Sequence, residues 1–305
     1  MTELTISRAY HNERVDDSNS ANAVDGIVVL SKLKLLWLGG MLVLSIVGGV
    51  LTFSFGALIL FIVFTGLSLC LGHSLGMHRR LIHQSYQCPK WLEYFFVHLG
   101  VIVGLAGPFG MIKTHDMRDW AQRQQSCHDY FGHQQPMLKD AYWQLFCDLK
   151  LKKPPSLNIE SSVQNDRVYN FMERTWMLQQ LPWAIVFWIF GGWPWVIWGI
   201  CMRVVVSVLG HWLIGYFAHN RGERTWHVNR ASIQGHNVRF AAIVTMGESW
   251  HNNHHAFPGS ARLGIKPGQL DLGWEVLKIL KKLGLVWAIK EPQDLPERPE
   301  LKAIG

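Results

Sequence analysis

Three histidines fall within one short stretch, His251-Asn252-Asn253-His254-His255, and this spacing is the strongest chemical signal in the chain. Residues on a helix advance about 100° each, so steps of three and four put all three imidazoles on one side. Neutral imidazole nitrogens are metal ligands, and three on one face can grip one ion or bridge two. Solvated surface histidines are the plainer reading, but they leave the crowding of these rings unexplained.

Other histidines join them. His78 and His83 are separated by a five-residue step, which turns about 140° on an α-helix. Either the two rings serve different metals or the helix ends between them. His115 opens a polar stretch, His115-Asp-Met-Arg-Asp119. Arg203, Ser207, His211, Gly215 and His219 repeat every four residues and drift only about 40° per step. The ionisable groups of that helix therefore share one stripe, which in a membrane faces the bundle rather than lipid. That places His219 near a metal site and leaves Arg203 to polar packing.

The elements that must hold these rings are membrane helices. The chain has 305 residues, 49% of them hydrophobic, with fifteen tryptophans and a net charge of +7; its mean hydropathy is +0.09. Indoles favour the membrane interface. The basic residues flank apolar runs instead of forming one stripe, which points to anionic headgroups and not to nucleic acid. The cysteines (Cys70, Cys88, Cys127, Cys147, Cys201) form no Cys-x-x-Cys pair and read as reduced. Residues 1–32 read as a polar N-terminal tail, not a secretory signal.

From Leu35 to His78 there is no Asp, Glu, Lys or Arg, too long for one span of about 20 residues and right for two. A break near Thr52–Gly56 gives spans at 35–51 and 57–77. A second uncharged run, Leu181–Met202, continues after Arg203 as Val204–His219, and Gly191-Gly192-Trp193-Pro194 is a turn signal. This predicts spans at 177–190 and 195–217. Trp91–Gly110 is apolar but carries Glu93, His98 and Pro108, and reads as an interfacial or re-entrant helix. The expected fold class is all-α: a polytopic membrane protein with four transmembrane helices in two hairpins. Residues 33–305 form one domain, with a helical cytoplasmic cap from 110–175 and 220–305. Lys and Arg avoid both hairpin tips and abound elsewhere, which puts the tail and the cap in the cytoplasm.

Taken together, these segments resemble the membrane fatty-acid desaturases, especially the acyl-CoA and cyanobacterial delta-9 class, over residues 35–285. The family's first box, two histidines with four residues between them and then a Ser-aromatic pair, matches His78 to His83 with Ser85-Tyr86. Its third box matches Gly247-Glu248-Ser-Trp250-His251 through Ser260-Ala261-Arg262, the most specific run in the chain. A histidine in a Trp-x6-His context ends the family's fourth span, as Trp212 and His219 do here.

The resemblance implies two iron ions held by His78, His83, His115, His219, His251, His254 and His255, with Glu248 or Asn252 orienting rings. The second box departs from the family. Where His-x-x-His-His is expected, the chain has His115, Arg118 and Asp119. A guanidinium keeps its proton and cannot ligate, whereas a carboxylate can. Gly215 stands where some relatives carry an asparagine that holds a metal-bound water. Asp119 with one of His211, His73, His128 or His133 is therefore the expected completion of the site.

The activity implied is oxygen-dependent insertion of a double bond into an acyl chain, buried in a bend with its middle at the irons. No haem-binding or cysteine-rich module is fused to the chain, so a separate donor, ferredoxin or cytochrome b5-like, must bring electrons. Two other readings compete: a diiron alkyl or acyl hydroxylase, and a non-catalytic metal- or haem-binding membrane protein. The run through Ser260-Ala261-Arg262 favours the desaturase over the hydroxylase. Histidines at helix ends, not paired across spans, disfavour the carrier.

Overall fold

The computed structural model describes residues 14–17 and 20–304. Among the described residues, three helical stretches are long and apolar enough to cross a membrane: Lys32–Leu51, Phe55–Ile82 and Gln180–Asn220. Leu36, Val50, Leu51, Phe55 and Phe190 point outward from them, each at least 75% exposed. Contiguous apolar surface of this kind is what a bilayer covers.

Helix α1 (Lys32–Leu51) ends at Thr52. Ser54 then caps the next helix, its hydroxyl accepting from the Ala57 N–H at 3.2 Å, and α2 (Phe55–Leu67) begins. The chain runs on without a break as a π-helical segment, Ser68–Ile82. Such winding is rare and usually limited to single turns near functional sites; here it lasts 15 residues. Helix α3 (Lys90–Ile102) lies antiparallel on this segment. Close approach depends on two glycines: a Cβ at Gly76 would come within 2.5 Å of the Phe96 main chain, and one at Gly72 would strike Leu99. α3 stops before Gly104, and α4 (Pro108–Arg123) starts on a proline. The apolar run 91–110 is thus a helix and a turn, not one span.

Beyond α5 (Met137–Phe146), the strand Cys147–Leu151 pairs antiparallel with Gly26–Leu30, and Ser156–Leu157 pairs with Val15–Asp16. The stretch read as a polar tail is therefore woven into the fold over its described part, and Arg14 is buried. Residues 1–13 lie outside the described residues. A third pair, Trp226–Val228 with Leu301–Ala303, secures the C-terminal end. These short ladders add to an otherwise helical fold; each is too brief to show a two-residue period in the sequence.

Asp166 caps α6 (Arg167–Arg174) through the Val168 and Tyr169 N–H groups. Helix α7 (Gln180–Val196) breaks at Gly192, whose φ of 65° is open to glycine. A π-helical link, Ile197–Met202, leads into α8 (Arg203–Asn220). The chain doubles back at the break. Arg203 Nη2 donates to Gln180 Oε1 at 2.6 Å although 23 residues separate them; a straight helix would hold them about 35 Å apart. The turn expected at Gly191–Pro194 is present. Finally α9 (His251–Ala256) and α10 (Leu272–Lys282) close the polar end.

Gly76→Ala should lower the stability of the protein in detergent by about 1–3 kcal/mol, the usual result of overpacking. Gly40→Ala, where an added Cβ meets nothing within 4 Å, should leave the melting temperature unchanged or raise it slightly. Thermal unfolding of both variants is the check.

Candidate metal centre

Four elements deliver seven imidazoles to one place. The end of the π-helical segment brings His78 and His83, α4 brings His115, α8 brings His219, and α9 brings His251, His254 and His255. They sort into two groups: His78, His83, His115 and His254; and His219, His251 and His255. Within each group the candidate ligand atoms all lie within 4.8 Å of one another.

The five-residue step from His78 to His83 does not send the rings to different metals. A π-helix closes its hydrogen bonds over five residues, and the His83 N–H reaches the His78 carbonyl at 3.0 Å. The helix ends at Ile82, and the two ring centroids stand 4.8 Å apart. On α9, by contrast, the three rings divide. His254 packs on His78 at 4.5 Å, while His255 Nε2 and His219 Nε2 lie 3.0 and 3.1 Å from His251 Nε2.

Ring orientation follows from the outer partners. His219 Nδ1 faces the Gly215 carbonyl at 2.7 Å; a carbonyl only accepts, so that nitrogen carries the proton and Nε2 offers its lone pair inward. Asp116 Oδ1 does the same for His115 Nδ1 at 3.1 Å, leaving His115 Nε2 3.2 Å from His83 Nε2. Glu248 Oε2 touches His78 Nδ1 at 2.6 Å. Burial pushes the Glu248 carboxyl up, but His78, Arg79 and Ser74 outweigh it and hold the group below the usual carboxylate range. Arg79 is itself fixed by Asp271 at 2.8 Å and the Ala261 carbonyl at 2.7 Å.

Burial first, then the charge of neighbouring rings, pushes His83, His254 and His255 well below the usual imidazole value and His251 down to about 3. The rings are therefore neutral at physiological pH, the form that binds metal. Several nitrogens at 3.0–3.2 Å cannot all be satisfied by protons. Ligand bonds of about 2.1 Å meeting near a right angle would set nitrogens about 3 Å apart. The donor set fits metal in both groups.

Polar side chains hold the short helix α9 in place. Asn252 accepts from the Thr225 and Trp226 N–H groups, both at 2.8 Å. Asn253 donates to the Leu263 carbonyl at 2.7 Å. Asn237 Oδ1 accepts from the Asn252 N–H at 3.0 Å, and Arg298 donates to the His255 and Ala256 carbonyls at 2.8 and 2.7 Å. Of the two residues expected to orient rings, Glu248 touches one, while Asn252 braces the backbone.

The residues proposed to complete the second box are elsewhere. Asp119 joins neither group, its carboxylate held by Arg123 at 3.0 Å. His73 and His211 face each other, with centroids 5.0 Å apart, and His128 caps a turn by accepting from the Tyr130 N–H. His133 comes nearest: its ring stacks on His219 at 5.4 Å. Its Nε2, however, is 2.7 Å from Arg118 Nη1, and its Nδ1 is 2.8 Å from Asp140 Oδ2. A Cβ at Gly215 would meet His133 Nε2 at 3.1 Å, so the missing side chain at 215 is what admits this ring. Two contributors carried no motif. Asp116 differs from a surface acid only by adjoining His115, and Arg14 pairs with Asp116 at 3.4 Å from the N-terminal segment.

Apolar helices whose polar ends carry two histidine groups able to hold metal define a membrane protein with a metal-type centre. The sequence profile of the family described as "Fatty acid desaturase" matches residues 53–278. Acyl-CoA C20 Delta5-desaturase of Anemone leveillei is 33% identical, over 74% of this chain and 72% of its own length. The sn-1 stearoyl-lipid 9-desaturase of Synechocystis sp. is 32% identical over 78% and 72%. Delta-9 acyl-lipid desaturase 1 of Arabidopsis thaliana is 31% identical over 75% and 73%. The chain belongs to the fatty acid desaturase family. It is a membrane enzyme that desaturates fatty-acyl chains.

Glu248→Gln should weaken metal retention by about 10–100-fold, the usual effect of removing an outer partner of a ligating histidine. Competition with a chelator of known affinity reads this directly.

Proposed function

We propose that the chain is an oxygen-dependent acyl desaturase whose two histidine groups hold two iron ions on the cytoplasmic side of four membrane-crossing helices. The division of α9 between the groups carries this reading. His254 serves one and His251 and His255 the other, with centroids 5.7 and 6.0 Å from His254, so two ions held there would be neighbours.

Helix length supports the topology. The 28 residues of Phe55–Ile82 make roughly 35–40 Å, the π-wound part rising less than the ~1.5 Å per residue of an α-helix, against about 30 Å of hydrocarbon. The histidine-bearing end of that helix therefore stands beyond the apolar layer. The run Gln180–Asn220 has 41 residues and folds back at Gly192, which suits two passes. Lys150, Lys152, Lys153, Arg221 and Arg230 are exposed at the polar end, as the positive-inside rule requires.

Bound iron would supply the oxidation of unactivated C–H bonds by dioxygen, chemistry beyond any side chain. His78, His83, His115 and His254 would hold one ion, and His219, His251 and His255 the other. Glu248 and Asp116 keep protons on the outer ring nitrogens of His78 and His115. The apolar cap and helix ends would bind the acyl chain in a bend, and the burial of His254, Asn252 and Asn253 keeps water from the reacting carbons. Reducing dioxygen to two waters takes four electrons. The substrate gives two, so a separate ferredoxin or cytochrome b5-like donor brings the rest. The exposed lysines and arginines would attract an acidic partner of that kind.

Expression in a host with defined lipids, followed by fatty-acid analysis, tests the proposal. A new double bond should appear and fall to background in His254→Ala. A new hydroxyl group in its place, or unchanged lipids with folded iron-loaded protein and reduced donor present, would overturn it.

A further inference from the structure

The two histidine groups are built unequally. One offers four imidazoles and the other three. Two of the four are backed by carboxylates, His78 by Glu248 and His115 by Asp116. Such contacts orient a ligand ring and raise its basicity. Among the described residues no carboxylate pairs with His219, His251 or His255; the outer nitrogen of His219 has only a backbone carbonyl.

The three-histidine group also faces competition from α4. Gln122 Nε2, anchored on the Phe131 carbonyl at 2.6 Å, lies 3.0 Å from His219 Nε2. An amide can only donate there, so it occupies the lone pair that a metal needs. One turn earlier, Arg118 points its guanidinium at His133, whose ring stacks on His219. The charges near His219 thus act through His133, which Arg118 and Asp140 share, whereas in the other group carboxylates touch the ligand rings themselves. Asp119, the remaining changed position of the second box, is held by Arg123.

We propose that the two half-sites hold metal with different strengths: the His78–His83–His115–His254 group keeps its ion, and the His219–His251–His255 group binds an exchangeable one. The inference rests on the two-iron reading above. The second half-site would then be filled or emptied with the supply of metal, while the first stays loaded and keeps the fold of the centre.

The test counts iron per chain in full-length protein in detergent, loaded with ferrous iron without oxygen and then dialysed against a chelator. Two ions should bind, and one should leave at least about ten times faster than the other, leaving a plateau of one per chain. His251→Ala should start at one and stay there. Replacing Arg118→His and Asp119→His together rebuilds the second box and should make both ions resistant, without relying on a damaging substitution. Loss of both ions at one rate, or an unchanged pattern in the rebuilt variant, would overturn the inference while leaving two-iron binding intact. Failure to bind any iron would instead remove the two-iron reading, and this inference with it.

Discussion

Buried imidazoles brought nitrogen to nitrogen at hydrogen-bond distance are the constraint that the rest of this structure is arranged to hold. His83 and His115 present nitrogens 3.2 Å apart, and His251 faces both His219 and His255 at about the same separation. Their meeting is enforced from outside: acceptors hold the far nitrogens of His115 and His219, and a polar scaffold denies α9 any other position. Isolated helices of six residues are not stable in water; α9 persists because Asn237, Asn252, Asn253 and Arg298 satisfy its backbone and its neighbours.

The helices solve a related problem of reach. Side chains that must meet at a polar surface arise from segments that elsewhere contact lipid. Gly72 and Gly76 let α3 lie against the π-wound end of α2, stiffening it. Arg203, wholly buried, donates to Gln180 and to the carbonyls of Gly199 and Ile102, which ties the two arms of the second hairpin to α3. Placing a guanidinium there is costly unless it is well partnered; each of its three nitrogens donates to a carbonyl-type acceptor, and the Phe64 ring covers it at 5.2 Å. Its role is packing, in line with its place on the polar stripe of α8.

Much of this was legible from residue types. Long uncharged runs gave the apolar helices, the Gly-Gly-Trp-Pro cluster gave the reversal, and the histidine boxes named all seven rings of the two groups. What escaped was winding and distant pairing. Hydrophobic pattern does not announce a π-helix, so the step from His78 to His83 invited a wrong angle. The strand Gly26–Leu30 is five residues long and runs into a hydrophobic helix, which hides its edge. Asp116 and Arg14 act through contacts made across 102 residues of sequence, beyond any local rule. Asp119 was a reasonable candidate by chemistry, but Arg123 one turn away on the same helix takes it first.

Arg14 has a further consequence, for the order of assembly. It is made before all of its partners, for it rests on the carbonyls of Leu81 and Ile82, on Asp116 and on Glu160. The last of these is made 146 residues later, about 7–30 s at usual rates of synthesis. The segment around Arg14 thus cannot finish docking until Glu160 is made, and it docks against the helix ends that carry His83 and His115. A nascent chain interrupted before Glu160 would already carry α1 and α2, while the clasp over its histidines was still open.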